Sequence, residues 1–162
     1  MAIYTKISKK DVIPIEKKFS IGKIVLFKGI KKGIENTNYL LKTRNKKYIL
    51  TIFEKRVQKK DLPFFMSLMD KLNNHKINCP KPQKSKKGNY LVNIKNKPAS
   101  IVSFVAGKEK NKLKIKDCYE IGKNIAKLHI ASKRIKLSFN GYYVVSWNFS
   151  IYSHFNLIFL EF

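Results

Sequence analysis

Residues 27–54 read FKGIKKGIENTNYLLKTRNKKYILTIFE, in which runs of β-branched, leucine and aromatic residues are separated by short polar turns. Such alternation is typical of strands joined by hairpins. It predicts three consecutive antiparallel strands, the first of which begins a few residues upstream, at Ile21–Ile30, Asn38–Thr43 and Lys47–Phe53. We expect this sheet to form the centre of the fold.

The connection between the first two strands has the composition of a turn that could bind phosphate. Gly29 and Gly33 can adopt backbone angles that a side chain would forbid, and they allow a ligand to approach the backbone closely. Asn36, Thr37 and Asn38 add amide and hydroxyl groups, and backbone N–H groups in such a turn can lie against phosphate oxygens. Two glycines are, however, more typical of an ordinary hairpin, and the segment matches neither a Walker loop nor a GxGxxG fingerprint.

The rest of the chain predicts three helices and a second pair of strands. A short helix, capped by Ser8, lies within residues 1–20. The other predicted elements are a helix from Asp61 to about residue 74, strands Tyr90–Ile94 and Pro98–Val105, and a helix from Asp117 to about Ser132. Apolar residues recur at helical spacing in the last helix, and we expect its buried face to contain Tyr119, Ile121, Ile125, Leu128 and Ile130.

A formal charge of +25 at first suggests a nucleic-acid partner through phosphate neutralisation. Only three of the 35 basic residues are arginine (Arg44, Arg56 and Arg134), whereas proteins that read bases and phosphates favour the bidentate arginine side chain. The lysines are spread over residues 6–136 instead of forming one patch. This distribution indicates a general drift in composition, such as an A/T-rich genome would cause, and a solvated lysine surface. We therefore expect no nucleic-acid partner.

The cysteines and the apolar segments bear on the compartment. Cys79 and Cys118 stand alone, without the spacing of a metal or redox motif, which is typical of a protein in a reduced compartment. The N-terminus has no apolar core for a signal peptide, and no run of about 18 or more apolar residues is present. We expect a cytoplasmic location and no membrane segment.

Several segments, in order along the chain, carry a resemblance to a known family. They are FKGIKKGIENTNYLL, YILTIFEKR, LPFFMSLMDKLNNHKINCPKP, KPASIVSFVAGK and IGKNIAKLHIAS. In these segments the chain resembles the bacterial homoserine kinases of the aminoglycoside-phosphotransferase-like kinase superfamily, from residue 1 to residue 134. The Glu-Asn-Thr-Asn-Tyr turn with YILTIFEKR and LPFF is specific to homoserine kinases, whereas the pair Leu128 and His129 is shared more widely.

The resemblance implies an α+β fold, namely the N-lobe of a protein-kinase-like fold with an antiparallel sheet and a packed helix. Residues 1–105 would form the ATP-binding lobe, and residues 106–136 would form the hinge and the first helix of a truncated C-lobe. The implied reaction is transfer of phosphate from ATP to the hydroxyl of L-homoserine, a step in threonine biosynthesis. ATP and Mg²⁺ are the implied cofactors.

The same resemblance implies which residues bind the nucleotide. Residues 29–38 would cover the ATP phosphates, and the backbone of the hinge strand Ser103–Val105 would form in-plane hydrogen bonds with adenine. The implied nucleotide-binding residues are Gly29, Gly33, Asn36, Thr37, Asn38, Thr51, Ser103 and Val105.

One departure from the wider superfamily concerns the third strand. Many relatives carry a phosphate-binding lysine where this chain has Thr51, and threonine cannot supply that cation. Lys42 or Lys55 could lie nearby, and Asp70 is the possible acidic partner in the following helix. We expect His129 to be a structural histidine and not a catalytic one.

The chain lacks the groups that transfer phosphate in this superfamily. Transfer needs an Asp beside the acceptor hydroxyl, and carboxylates that hold Mg²⁺ near the phosphates. Relatives supply these groups from a His-Gly-Asp loop and a later Asp-bearing motif, and neither occurs in these 162 residues. We assign no catalytic and no metal-binding residue, and expect the chain alone to have no kinase activity and at best weak affinity for nucleotides.

The end of the chain, residues 137–162, differs in composition from the rest. It reads LSFNGYYVVSWNFSIYSHFNLIFLEF, which contains no Lys or Arg and many aromatic residues. A shifted reading frame would explain the changed composition, the lost resemblance and the early termination together. The alternatives are a natural lineage-specific tail, or an interfacial membrane anchor at Phe155–Phe162, which is short and has no basic flank of its own.

Other functions stay open on the sequence alone. The chain could be a non-catalytic nucleotide-binding or interaction module, complemented by a separately encoded C-lobe. It could also belong to a kinase of another small hydroxyl or amino-sugar acceptor, because residues that bind the acceptor lie mainly in the half of the family fold that this chain lacks.

Overall fold

The computed structural model describes residues 3–31, 35–54, 58–107, 110, 112–135, 138–139 and 142–143. The helices are α1 (Lys9–Lys18), α2 (Leu62–Asn74) and α3 (Ile115–Arg134), and the strands are β1 (Ile24–Gly29), β2 (Thr37–Thr43), β3 (Lys47–Ile52), β4 (Leu91–Ile94), β5 (Lys97–Ser103), β6 (Ser138–Phe139) and β7 (Tyr142–Tyr143). The predicted helices and the five main strands are confirmed, with ends shifted by a few residues. The short pair β6 and β7 was not predicted.

Five strands form one antiparallel sheet in the order β1-β2-β3-β5-β4. After β3 the chain forms α2 and returns as the β4–β5 hairpin, in which β5 pairs with β3 and β4 lies at the edge. Consequently β3 is central, and its residues from Tyr48 to Ile52 are all buried. A strand covered on both faces needs a nearly continuous apolar sequence, which is what YILTI provides.

Side chains alternate between the two faces of the sheet, so each face has its own core. On one face α1 and the N-terminal segment, which we define as residues 3–8, pack against the sheet. This core includes Ile7, Ile15, Phe19, Tyr39, Leu41, Leu50, Ile52 and Ile101. On the other face α2 packs against the sheet, in a core that includes Ile49, Phe53, Phe65, Met66, Met69 and Val102.

The predicted N-cap residues of α1 and α2 are confirmed, but only the one at α1 makes side-chain hydrogen bonds at the start of its helix. Ser8 donates hydrogen bonds from its backbone N–H and its hydroxyl to Asp11 Oδ2, at 2.7 and 2.9 Å, and forms a capping box at the start of α1. Asp61 occupies the N-cap position of α2, but its side chain makes no capping hydrogen bond. Pro63 lies in the first turn of α2, where a missing N–H costs nothing.

The predicted buried face of α3 is wrong. Tyr119 is 68% exposed, and Ile121, Ile125 and Ile130 are exposed as well, while Leu128 is half-buried. The buried residues of α3 are Ala131 and Ser132. The periodicity identifies the apolar side of a helix but does not specify which element covers it.

Only the C-terminal end of α3 packs against the rest of the described structure. There Ala131 and Ile135 form a small core with Leu68 and Leu72 of α2 and with Cys79. None of the helices in the described ranges is long and apolar enough to cross a membrane. The predicted alternative of an anchor at Phe155–Phe162 falls outside those ranges.

Candidate functional site

The turn that follows β1 is the first component of the candidate site. Gly29 is the last residue of β1 and pairs with Tyr39 of β2, and the next N–H, from Ile30, donates to the carbonyl of Asn38 at 2.8 Å. Gly33 lies outside the described residues. The space beside Gly29 is already filled, because a Cβ atom added there would lie 2.4 Å from Cδ1 of Ile3. Packing of the N-terminal segment is thus one physical reason for a glycine at position 29.

This close contact predicts the effect of adding a methyl group. Glycine-to-alanine changes in compatible positions stabilise a protein slightly, but we expect Gly29→Ala to destabilise this one by up to about 1 kcal/mol, because the end of the Ile3 side chain must move. Urea denaturation measures the change. The contact is tested by the double variant: in an Ile3→Ala background, Gly29→Ala should cost little or nothing. An equal cost in both backgrounds would contradict this explanation.

A buried polar cluster lies beside the turn; we call it the Thr37 cluster, and it comprises Thr5, Thr37, Glu54 and Lys97. The Thr37 hydroxyl oxygen accepts hydrogen bonds from the backbone N–H groups of Tyr4 and Thr5, both at 3.0 Å. The Thr37 and Thr5 hydroxyls each donate to Glu54 Oε1 at 2.7 Å. Lys97 Nζ donates to Thr5 Oγ1 at 2.8 Å and to Glu54 Oε2. The cluster joins the N-terminal segment, β2, the end of β3 and β5.

Glu54 is the anion of this cluster. Its side chain is 9% exposed, against 39% for Lys97. Burial raises the pKa of Glu54, but hydrogen bonds from Lys97, Thr37 and Thr5 outweigh burial, and the pKa of the carboxyl lies below its ordinary value. Glu54 is therefore charged at neutral pH and holds the Lys97 ammonium group. The cluster is therefore a hydrogen-bond network around the Glu54–Lys97 ion pair, and its role is structural.

Asn36 and Asn38, on either side of Thr37, also have partners within the chain. Asn36 Oδ1 accepts a hydrogen bond from the backbone N–H of Glu54 at 3.3 Å, and Asn38 Oδ1 accepts one from the Thr51 hydroxyl at 2.8 Å. All three residues from Asn36 to Asn38 are buried. The structure thus gives their side chains internal roles, and their contact with a phosphate stays a prediction.

A row of polar side chains crosses the sheet on the face covered by α2; we call it the polar row. In the register of the sheet, Asn38 of β2 faces Thr51 of β3, which faces Ser100 of β5. All three are buried. The Ser100 hydroxyl has no hydrogen-bond partner in the described part of the protein, although it is fully enclosed. An unpaired hydroxyl in such a place costs free energy of folding.

Ser100 was not predicted as a site residue; the sequence placed it only within the predicted strand Pro98–Val105. One available signal was a serine followed by two apolar residues within a predicted strand. The second signal, the position of Ser100 opposite Thr51, was not visible in the sequence, because it depends on the crossover that places β5 beside β3. Since the row begins at Asn38, the second residue of β2, it starts next to the turn between β1 and β2. The row is the part of the candidate site that the fold assembles from three separate segments.

The predicted hinge is only partly available to a ligand. The backbone N–H of Ser103 donates to the carbonyl of Lys81 at 2.9 Å, and the Ser103 hydroxyl accepts from the N–H of Lys81 at 2.8 Å. The next N–H, from Phe104, donates to the carbonyl of Lys47 at 3.1 Å. Val105 follows outside any helix or strand, and its backbone makes no hydrogen bond within the described residues. Of the predicted hinge pair, Val105 is therefore the one with unused backbone groups.

Other charged candidates lie apart from the polar row or have other partners. Lys42 is exposed on β2, opposite Lys47, and Lys55 lies outside the described residues. Asp70 accepts a hydrogen bond from the Tyr90 hydroxyl at 2.8 Å. Burial, together with this hydrogen bond, raises the pKa of Tyr90 to about 12. Asp70 therefore ties α2 to the start of β4.

Two further sets of residues were considered as reactive or metal-binding groups. Cys79 is buried, and burial raises the pKa of its thiol to about 12, whereas Cys118 is exposed on α3. His129 is exposed on α3, and its backbone carbonyl accepts a hydrogen bond from the Ser132 hydroxyl. Within the described ranges, no group of three or more His, Cys, Asp or Glu side chains could hold a metal ion.

The sequence is similar to those of several bacterial enzymes. It is 39% identical over 136 residues to a homoserine kinase of Methylocella silvestris, a match that covers 84% of this chain and 42% of the relative. It is 39% identical over 148 residues to a homoserine kinase of Paramagnetospirillum magneticum, covering 91% of this chain and 45% of the relative. The chain spans less than half the length of these relatives.

Solved structures share the fold at low sequence identity. A spectinomycin phosphotransferase, crystallised with ADP and spectinomycin, superposes with a TM-score of 0.61 at 14% identity, over 83% of this chain and 43% of that one. A microcompartment-associated aminopropanol kinase superposes with a TM-score of 0.57 at 16% identity, over 80% of this chain and 42% of that one. These likenesses confirm the predicted α+β, kinase-like N-lobe.

A family profile covers most of the chain. The profile of the phosphotransferase enzyme family matches residues 27–143, which include the turn, the polar row, the hinge and α3. The match agrees with the similarity to homoserine kinases and with the shared fold. This chain belongs to the phosphotransferase enzyme family.

Proposed function

We propose that the chain forms the nucleotide-binding half of a homoserine kinase. The observation that carries this proposal is the 39% identity to two homoserine kinases over 84% and 91% of this chain. In the proposed reaction the hydroxyl oxygen of L-homoserine forms a bond to the γ-phosphorus of ATP. The bond from that phosphorus to the bridging oxygen breaks, ADP leaves, and the hydroxyl proton passes to a base. The product is O-phospho-L-homoserine, and the proposed pathway is threonine biosynthesis in the cytoplasm.

The proposed binding mode uses the backbone of the turn and the hydroxyl of Thr51. The turn from Gly29 to Asn38 covers the phosphates, and the Thr51 hydroxyl supplies a polar contact to them, with no cation at position 51. The backbone of Val105 hydrogen-bonds the adenine ring at the hinge. The Thr37 cluster holds the N-terminal segment against the turn and does not contact the nucleotide.

Mg²⁺ is the proposed accompanying ion, since bound metal neutralises charge on the phosphates during transfer. The donor set among the described residues does not fit a metal ion, because no cluster of carboxylates is present there. We therefore place the metal ligands and the catalytic base in the part of the relatives' length that this chain does not match. Residues 1–105 as the nucleotide lobe and residues 106–136 as hinge and first C-lobe helix remain the proposed division.

A binding experiment and an activity experiment test the proposal together. We expect isothermal titration to show weak, saturable binding of ATP to the 162-residue chain, and Thr51→Val to weaken it. Thr43→Val is the matched control: it changes a buried threonine of β2 whose hydroxyl is hydrogen-bonded to the backbone of Lys46, and this variant should bind ATP like the wild type. We expect no homoserine-dependent release of ADP by the chain alone. Absence of ATP binding, with the fold intact, would remove the nucleotide-binding role.

A further inference from the structure

The side chain of Tyr39 connects the N-terminal segment to β2, the strand that follows the turn. The Tyr39 hydroxyl donates a hydrogen bond to the carbonyl of Thr5 at 3.0 Å and accepts one from the backbone N–H of Ile7 at 3.1 Å. Tyr39 is buried, and so are Thr5 and Ile7. A single hydroxyl therefore holds the N-terminal segment at two points, in a place with little access to water.

The ring of Tyr39 lies against the beginning of the turn. Tyr39 pairs with Gly29 across β1 and β2, and Cε1 of its ring would lie 3.5 Å from a Cβ atom added to Gly29. Cδ1 of Ile3 approaches the same point from the N-terminal segment. The Phe27 ring packs against Tyr39, with 6.2 Å between the two ring centroids. The tyrosine ring and the N-terminal segment together fix where the backbone of β1 enters the turn.

The turn between β4 and β5 holds the N-terminal segment independently of Tyr39. Lys95 Nζ, in this turn, donates a hydrogen bond to the carbonyl of Lys6 at 2.7 Å, and it lies 3.7 Å from Asp11 Oδ2. Lys95 and Asn96 have φ values of 49° and 62°, which are typical of a tight two-residue hairpin turn. The N-terminal segment thus contacts two hairpin turns of the sheet, and it can serve as a fixed support for the turn between β1 and β2.

Tyr39 and its neighbour Asn38 point to opposite faces of the sheet, because side chains alternate along a strand. Asn38 lies in the polar row on the face covered by α2, whereas Tyr39 belongs to the core under α1 and the N-terminal segment. In the proposed binding mode the nucleotide contacts the turn and Thr51, so Tyr39 itself does not contact it. Tyr39 can still affect binding, because a binding element that is already held in its bound conformation loses less freedom when the ligand binds.

We propose that Tyr39 is a positioning residue for the nucleotide phosphates: its hydroxyl holds the N-terminal segment, and this segment keeps the two ends of the turn in place. The ends of the turn are Gly29 and Ile30 on one side and Thr37 and Asn38 on the other. This inference rests on the proposed function. It adds to that function a residue that acts from the face of the sheet opposite to the polar row.

The test compares ATP with adenosine, which lacks the phosphates that the turn covers. Isothermal titration measures the affinity of the full 162-residue chain for each compound, in the wild type and in Tyr39→Phe, which keeps the ring and removes only the hydroxyl. We expect the ratio of the ATP affinity to the adenosine affinity to fall by roughly fivefold, the effect of about one net hydrogen bond. A general loss of folded protein would lower both affinities together and leave the ratio unchanged.

Tyr48→Phe is the matched control, since Tyr48 is a buried tyrosine of the neighbouring strand β3 in the same core. It should keep the wild-type ratio. Limited proteolysis without nucleotide gives a second measurement: residues 3–8 should be cleaved several times faster in Tyr39→Phe and at the wild-type rate in Tyr48→Phe. Circular dichroism checks that both variants are folded.

Three results would overturn the inference while leaving the proposed function in place. The first is a wild-type ratio in Tyr39→Phe, whether or not the N-terminal segment is released. The second is an equal fall of the ratio in Tyr48→Phe. The third is loss of the folded state in Tyr39→Phe, because the hydroxyl would then be needed for folding and not for positioning. A wild-type chain that binds no ATP would overturn the proposed function, and this inference with it.

Discussion

Leu72→Ala is expected to lower the free energy of unfolding by about 2–5 kcal/mol, the range for removing a fully buried leucine side chain. Leu72 has no exposed surface, and it lies in the small core of Leu68, Cys79, Ala131 and Ile135 that joins α3 to α2. A cavity at this place removes contacts on both sides of the junction. We therefore expect α3 to separate from α2 more often than the sheet unfolds.

Two measurements distinguish this local effect from a general loss of stability. Urea denaturation gives the global free energy of unfolding, and hydrogen exchange reports the opening of α3 separately from the sheet. Leu113→Ala, at an exposed leucine just before α3, is the control and should change stability by less than about 0.5 kcal/mol. Equal loss of exchange protection in α3 and in β3 would show that the junction is not an independent unit.

Thr37→Val is expected to destabilise the protein by about 2–4 kcal/mol, although the two side chains have nearly the same shape. The change removes the acceptor for the N–H groups of Tyr4 and Thr5 and one donor to Glu54. Thr5 is buried, so its N–H would be left without a partner. Since one of the hydrogen bonds that lower the pKa of Glu54 is lost, that pKa should also rise toward its ordinary value.

The control for this variant is Thr43→Val, which removes a buried hydroxyl of the same strand whose partners belong to a neighbouring turn residue, Lys46. Thr43→Val should lower the free energy of unfolding by less than Thr37→Val does, and it should leave the N-terminal segment protected from proteolysis. Limited proteolysis of residues 3–8 provides that second measurement, because Thr37→Val should release the segment. If Thr37→Val reduced ATP binding without any loss of stability, Thr37 would contact the nucleotide, and its hydrogen bonds to the N-terminal segment would not stabilise the fold.

Local pattern was sufficient to predict the strands and the helices. The apolar runs YLL and YILTI, bounded by polar turns, specified β2 and β3, and the Ser8–Asp11 spacing specified the start of α1. These features depend on neighbours within a few residues, which a single sequence displays. The resemblance to homoserine kinases then supplied the kinase-like N-lobe fold, while the order of the strands came from the structure.

Partners distant in sequence were not predictable, and they changed the interpretation of the turn. Polar residues beside two glycines suggested contacts with a ligand, but the Thr37 hydroxyl bonds to residues more than 30 positions away at the N-terminus. The unpaired hydroxyl of Ser100 became a candidate only when β5 was placed beside β3. For α3 the apolar side was visible in the sequence, but whether anything covers it depends on the remainder of the structure.

The two cysteines differ in exposure, and this difference allows a fluorophore to be attached at one of them. Cys79 is enclosed and burial raises the pKa of its thiol to about 12, so it should resist alkylation, whereas Cys118 is exposed on α3. With only two cysteines in the chain, a maleimide dye should attach at one position without any mutation. The wild-type protein thus carries its own attachment point for a fluorophore on α3, where the emission would report the separation of α3 from α2.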